Sequence, residues 1–437
     1  MELDGPDLFH VTQEAPDRPT HTLKIAVLDG NLEPDKARSW LADACERIPL
    51  FSWQLDASPL RPHRWVEAAV DLDHHFEHVQ ATAPGGEDQL VEILEGLCGR
   101  ALDRDRPLWA LHLITGLRSE GRPRTAVVLR LHHALADGAA SARLWEELAG
   151  IRSAERPAVG GAVPSRVRHL GSVVADAPRL ARRWRAHSRR LAEAKREGET
   201  PAVDPFAAPI TPFNEHLEGP RSCAFATVPL ERVKAAGAAF GASVNEVLLA
   251  ISGGAIHGHL EDRGVQLDAS LTTTLPAGLP ERSRPHGNAV TTLYVSLHSH
   301  LDPAARVAAI QKDLRSARAV LEEDPRLLPD SQRRWRFYQL LVAAMRREER
   351  RRARPAYNTI VSSVRGPAPF EIAGHPVVAL RSLGPLAGRL GLNITAWSYG
   401  GDLSIGVHAY RAAAEDLADL ARRLCDELAA LEAAATG

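Results

Sequence analysis

Two adjacent histidines are followed at short distance by an aspartate and a glycine in the segment His132-His133-Ala134-Leu135-Ala136-Asp137-Gly138. A histidine titrates near neutrality, so it can take a proton from an attacking hydroxyl and return one to a leaving group. Acyl transfer from a thioester to an alcohol needs both acts, because the alcohol attacks only as its proton is removed and the departing thiolate must be protonated. Asp137 is expected to order the loop by pairing with an arginine that the sequence does not identify, and Gly138 to permit a tight turn. Histidine and aspartate are also metal ligands. Adjacent side chains on an extended segment point to opposite faces, however, which argues against joint ligation, and no metal is expected.

The elements around the segment set its position. Thr125 to Leu131 is a β-branched and leucine-rich run that predicts a buried strand ending at the histidines, and Ala139 to Leu148 predicts a helix after Asp137-Gly138. Upstream, Leu23 to Leu28 and Trp109 to Ile114 read as strands, and Pro34 to Ile48 and Gln89 to Leu102 as helices, so the chain is expected to open with a β-then-α unit. Ser153 to Pro164 is rich in Pro, Gly and Ala, and Arg179 to Arg196 is crowded with arginine. Beyond them, strands are expected at Cys223–Val228, Leu271–Leu275, Val290–Leu297, Thr359–Val364, Val377–Leu383, Leu392–Trp397 and Leu403–Ala409. The last two form a hairpin across Gly400-Gly401, and helices are read at Leu230–Phe240, Asn245–Leu260 and Ala413–Leu431. This predicts an α/β protein of two lobes, 1–150 and 216–437, joined by a crossover over 151–215.

A chain of 437 residues with 44% apolar residues can bury full cores, and a formal net charge of -2 gives the whole molecule no electrostatic reason to bind nucleic acid. Cys45, Cys98, Cys223 and Cys425 form no Cys-x-x-Cys pair, so neither a zinc site nor a disulfide framework is signalled, and a reducing cytoplasm is expected. The opening Met1-Glu2-Leu3-Asp4 lacks the features of a signal peptide, and no apolar run reaches spanning length, so the expectation is a cytoplasmic protein. The arginine runs Arg179–Arg196 and Arg333–Arg354, the second carrying Trp335, Phe337 and Tyr338, are either solvated helix faces or contacts with a membrane surface or coenzyme A phosphates.

The segment His132 to Gly138, as His-His-x-x-x-Asp-Gly, resembles the active-site motif of chloramphenicol acetyltransferase, nonribosomal peptide condensation domains and the bacterial wax ester synthase/diacylglycerol acyltransferase family. Other segments resemble the last of these: Arg106-Pro107-Leu108-Trp109, the opening Phe9 to Val27 with Pro19-x-His21 as its N-terminal strand, Ser243 to Leu248, Gly287-Asn288, Ser362 to Pro367, Gly391 to Ile394 and Ser398 to Gly401. Glu246 and Ser363 depart from it, standing where the family usually has aspartate and asparagine. The resemblance implies two chloramphenicol-acetyltransferase-like lobes with mixed sheets and an active-site tunnel between them. It implies His133 as general base, Asp137 as its companion, and supporting roles for His132, Gly138 and Asn245. Asn245 has two readings, a donor toward a developing oxyanion or a helix N-cap beside Ser243.

By the same resemblance, acyl-CoA is a co-substrate and no prosthetic group is needed. A long-chain alcohol or diacylglycerol is then the acceptor, and the arginine runs are where peripheral contact at a membrane or lipid-droplet surface is expected. Three further readings stay open: a specialised acyltransferase acting on a secondary-metabolite alcohol or amine, an amide synthase of the condensation type, and a non-catalytic acyl-CoA or lipid-binding relative. Retention of His133, Asp137 and Gly138 argues against the last.

Overall fold

The computed structural model describes residues 1–3, 5–57, 63–155, 207–215, 217–278, 286–323, 351–386 and 388–436, with isolated positions between them. In chain order the first part comprises α1 (Gly5–Gln13), β1 (His21–Asp29), α2 (Pro34–Arg47), β2 (Trp53–Asp56), β3 (Arg64–Glu67), α3 (Leu72–His75), β4 (Phe76–Gln80), α4 (Glu87–Gly99), β5 (Trp109–Ser119), β6 (Arg122–His132) and α5 (Gly138–Leu148). The second comprises α6 (Pro212–Glu215), β7 (Arg221–Pro229), α7 (Leu230–Ala239), α8 (Val244–Glu261), β8 (Thr272–Gly278), β9 (Val290–Ser296) and α9 (Pro303–Glu323). It continues through β10 (Thr359–Arg365), β11 (Glu371–Ile372), β12 (His375–Leu383), β13 (Leu392–Tyr399), β14 (Asp402–Tyr410) and α10 (Leu417–Ala434).

Two six-stranded mixed sheets carry the architecture, in the orders β11-β12-β1-β6-β5-β4 and β7-β14-β13-β10-β8-β9. In the first, α4 lays Leu90, Leu94 and Leu97 against Leu23, Ile25, Ala126 and Val128, an i, i+4, i+7 stripe on one sheet face. The opposite face packs residues such as Val127, Leu129 and Leu131 with Leu8 of α1, Leu41 of α2 and Trp145 of α5. Trp397 and Tyr399 from the second sheet join this second cluster, so the two lobes share a core. Two tight hairpins turn through left-handed residues, Glu120 and Gly121 between β5 and β6 and Gly400 and Gly401 between β13 and β14.

Two features depart from the order of the sequence. Phe9 to Gln13, expected as the lead-in to a strand, is the end of helix α1, and the strand begins only at His21. Pro6 fits a first helical turn, Asp7 suits its positive end, and Leu8 and Val11 share the buried face. The strand expected at Val377–Leu383 exists as β12, yet it pairs with β1 from Leu23↔Leu383 to Leu28↔Val377. The stretch after residue 216 therefore supplies strands to both sheets.

Candidate active site

Strand β6 is buried from Thr125 to His132, and its end is pinned from two sides. The backbone N–H of His132 donates to Leu108 O (3.0 Å) and that of His133 to Thr20 O (3.0 Å). Asp137 then caps α5, its Oδ1 accepting from the backbone N–H of Ala140 at 2.8 Å, while its Oδ2 accepts from Ala289 N–H at 2.9 Å. The expected arginine partner is thus corrected: both carboxylate oxygens serve backbone N–H groups, and among the described residues no arginine forms an ion pair with Asp137. One end of this clamp starts a helix and the other holds a segment from the second half of the chain. That segment, 286–289, is stitched to the motif by Gly287 N–H to Leu135 O (2.7 Å) and Asp137 N–H to Gly287 O (3.2 Å). Gly287 adopts φ +81°, where a side chain would be strained.

Gly138 has an ordinary helical backbone, so the tight turn expected there is not its reason. A Cβ at this position would lie 2.5 Å from Val364 Cγ2 of β10. The glycine lets the start of α5 approach the second sheet closely.

The two histidines turn to opposite sides. His132 is fully buried. Its Nδ1 accepts the Ala134 N–H at 3.1 Å, which leaves Nε2 protonated and donating to Thr20 Oγ1 at 3.0 Å, with the buried Glu14 carboxylate 3.5 Å away. Thr20 Oγ1 in turn donates to His10 O at 3.0 Å. His133 is half-buried and has the other tautomer. Asn288 Nδ2 donates to His133 O (2.8 Å) and to Asp7 Oδ1 (2.9 Å), both of them acceptors only, so its Oδ1 is the atom facing His133 Nδ1 at 3.1 Å. His133 Nδ1 therefore carries the hydrogen, and Nε2 has the free lone pair.

Helix α1 contributes twice to this arrangement. Asp7 Oδ1 also accepts the Asn288 backbone N–H at 2.8 Å and so fixes the amide that fixes the ring. One helical turn later, His10 stacks on His133 with ring centroids 4.1 Å apart and planes 17° from parallel. Burial pushes the His133 imidazole down to about 4, the nearby Lys24 ammonium adding to it against the pull of Asp137. His10 is held well below its ordinary range, by burial first and then by its histidine neighbours. The resting site is a pair of neutral, stacked rings. Neither Asp7 nor His10 was singled out from the sequence. The signal was there in Pro6 followed by Leu8 and Val11, since a helix starting at Pro6 puts positions 7 and 10 on one side.

The second-lobe position behaves differently. Ser243 is the N-cap of α8, its Oγ accepting from Glu246 N–H at 3.3 Å while Glu246 Oε2 accepts from Ser243 N–H at 2.7 Å. This reciprocal box makes Glu246 a helix-start residue. Asn245 is not the cap: its Oδ1 accepts from Ser363 Oγ of β10 at 3.1 Å, so the positions of the two departures lie at one junction of α8 and β10. Trp109, expected as packing, is buried, donates from Nε1 to Phe51 O (2.8 Å) and stacks on His75. The arginine runs at 179–196 and 333–354 lie almost wholly outside the described residues.

Residues 3–248 match the wax ester synthase/diacylglycerol acyltransferase catalytic domain, and residues 286–432 match the C-terminal domain of the same family. The chain belongs to the wax ester synthase/diacylglycerol acyltransferase family. Its members catalyse transfer of an acyl group to an acceptor, and this chain is such an acyltransferase. Two relatives from Mycobacterium tuberculosis, both provisionally named diacylglycerol O-acyltransferase, are each 32% identical to it; one alignment covers 93% of this chain and 85% of the relative, the other 93% and 90%. The fold is similar to that of the wax ester synthase/diacylglycerol acyltransferase from Marinobacter aquaeolei VT8, at a TM-score of 0.69 and 24% identity over 100% of both chains. It is similar also to the starter condensation domain of rhizomide synthetase solved with C8-CoA, with a TM-score of 0.61 and 14% identity over 100% of this chain and 95% of that one. These likenesses confirm the expected pair of chloramphenicol-acetyltransferase-like lobes with mixed sheets.

Proposed function

We propose that this family member transfers an acyl group from a coenzyme A thioester to the hydroxyl of a long-chain alcohol or a diacylglycerol, with His133 as general base. The observation that carries the reading is the His133 tautomer: Asn288 engages Nδ1 and leaves Nε2 as a proton acceptor on a half-buried ring. As the acceptor hydroxyl attacks the thioester carbonyl, Nε2 takes its proton and the new C–O bond forms. The tetrahedral oxyanion collapses, the C–S bond breaks, and the imidazolium returns the proton to the thiolate, releasing free coenzyme A. No acyl-enzyme is required.

His133 spends the cycle alternately neutral and charged. Neutral His10, stacked on its face, offers a polarisable surface to the imidazolium, and Asn288 Oδ1 continues to accept from Nδ1 in both states. Asp137 holds the loop and the 286–289 segment together, and no proton passes through it. The C8-CoA seen in the rhizomide synthetase domain supports a coenzyme A thioester as donor. Release of free thiol from palmitoyl-CoA, measured with hexadecanol, with diacylglycerol and with no acceptor, tests the reading. Acceptor-dependent release is expected, and its absence with both acceptors would sink the proposal.

A further inference from the structure

Lys24 is the one lysine among the described residues with a buried side chain. It stands on β1 with Ala26 and Leu28, on the sheet face where Trp397 of the second lobe packs, between β6 (Leu129) and β12 (Ser382). Its Nζ donates to Ser382 Oγ at 2.9 Å and sits 5.1 Å from the centre of the Trp397 ring. Among the described residues no carboxylate lies within ion-pair distance of it. An ammonium carries three N–H donors, and one of them has an acceptor here.

Burial pushes the amine down to about 7 against the pull of Asp137, and its charge is the second cause, after burial, of the low His133 value. The amine and the base therefore share one electrostatic compartment. For holding the lobes together, an apolar side chain of similar length would serve better, since a buried cation without a counter-ion is a liability to the fold. A buried amine that is half charged near neutrality and has one acceptor for its three donors points to a ligand that supplies the missing charge and completes its protonation. The acyl chain of the donor is apolar and its phosphates lie a full pantetheine arm from the thioester. The acceptor is left.

We propose that Lys24 is a specificity residue that receives an anionic group of the acyl acceptor, a carboxylate or a phosphate carried a few bonds from the hydroxyl that His133 deprotonates. Ser382 and Trp397 hold the amine on this face of β1 until such a group arrives. The inference rests on the acyl transfer and the His133 base of that reading, and replaces its neutral acceptors with hydroxyl acceptors that carry an anionic group.

Matched acceptor pairs test it, with palmitoyl-CoA as donor: β-hydroxydecanoate against its methyl ester for a carboxylate, and oleoyl lysophosphatidate against monooleoylglycerol for a phosphate. In the unaltered enzyme, kcat/KM for the anionic member of at least one pair should exceed that of its neutral partner by about tenfold, the order expected of one paired charge. Lys24→Met should cut that ratio at least tenfold, and Lys24→Arg should keep most of it, with thermal unfolding confirming that both variants are folded. Preference for the neutral member in both pairs overturns the inference. So does an equal loss for both members in Lys24→Met, which would make Lys24 a stabiliser of the thioester oxyanion. Transfer to neutral acceptors alone removes this inference and leaves the acyltransferase reading standing, whereas no transfer to any acceptor removes both.

Discussion

His132 and His133 are neighbours in sequence with opposite tautomers and opposite surroundings. His132 is sealed behind the loop, its two nitrogens used by Ala134 N–H and by Thr20 with Glu14 nearby. His133 has one nitrogen held by Asn288 and the other free on a half-buried ring. The extended backbone at the end of β6 sends the side chains apart, but what separates their chemistry is the count of committed nitrogens: two for His132, one for His133. A fully satisfied buried imidazole is a structural part, and a half-satisfied one at the lobe junction can accept a proton.

The largest break in this comparison comes from His133→Ala. The variant should stay folded and lose about 10³ to 10⁴ in kcat, since a positioned base contributes up to about that much and the same ring also returns the proton. Near-normal transfer by the folded variant would end the mechanism. Asn288→Ala should lower kcat by about 10², because the ring loses the acceptor that fixes its tautomer. Nitrogen-15 spectra of the imidazole read this directly: His133 should shift from a pure Nδ1–H form to a mixture, while His132 is unchanged.

The pH profile sharpens the comparison further. His133 is neutral above about 4 and becomes protonated as pH falls through that value, which removes the lone pair it needs. The log of kcat/KM should stay flat from neutrality down to roughly pH 5 and fall by about one unit per pH unit below the midpoint. An acid limb centred near the ordinary histidine value would show that the base is not in this buried environment. His132→Ala should instead retain measurable turnover and destabilise the protein by about 1 to 3 kcal/mol, because Ala134 N–H and Thr20 lose a buried partner. Thermal unfolding and turnover measured together separate the two histidines. The smallest effect belongs to Glu246→Asp, where the shorter carboxylate reaches Ser243 N–H less well. Activity should stay within about tenfold and stability within about 1 kcal/mol, and a loss like that of His133→Ala would make Glu246 part of the chemistry.

Much of this site was readable from the chain alone. The strand into His132, the helix from Gly138 and the opposed histidines follow from local periodicity, and local periodicity is visible in sequence. What stayed hidden was non-local. A turn carboxylate such as Asp137 suggests an ion pair with an arginine, while its actual partners are backbone N–H groups, which no residue type announces. Gly138 suggests a turn, since sequence shows the missing side chain and not the Val364 methyl that needs its space. Asn288 stands out in sequence only as half of a Gly-Asn pair, and the nine residues of α1 carry too little periodicity to compete with the β-rich stretch beside them. Asp7 and Asn288 stand 281 residues apart, and only folding introduces them.

The pairing of β1 with β12 has a consequence for how the chain is made. The contact between Lys24 and Ser382 spans 358 residues, so at about 5 to 20 residues per second a ribosome needs roughly 20 to 70 s to deliver the second strand after the first has emerged. Throughout that interval one edge of β1, with its row of unpaired N–H and C=O groups, stands open in a lobe whose core still lacks Trp397 and Tyr399. The first half of the molecule is therefore born with an adhesive seam that its own last quarter must close. During synthesis that seam is where a nascent-chain chaperone would be needed, and a chain truncated before residue 375 would keep it open permanently.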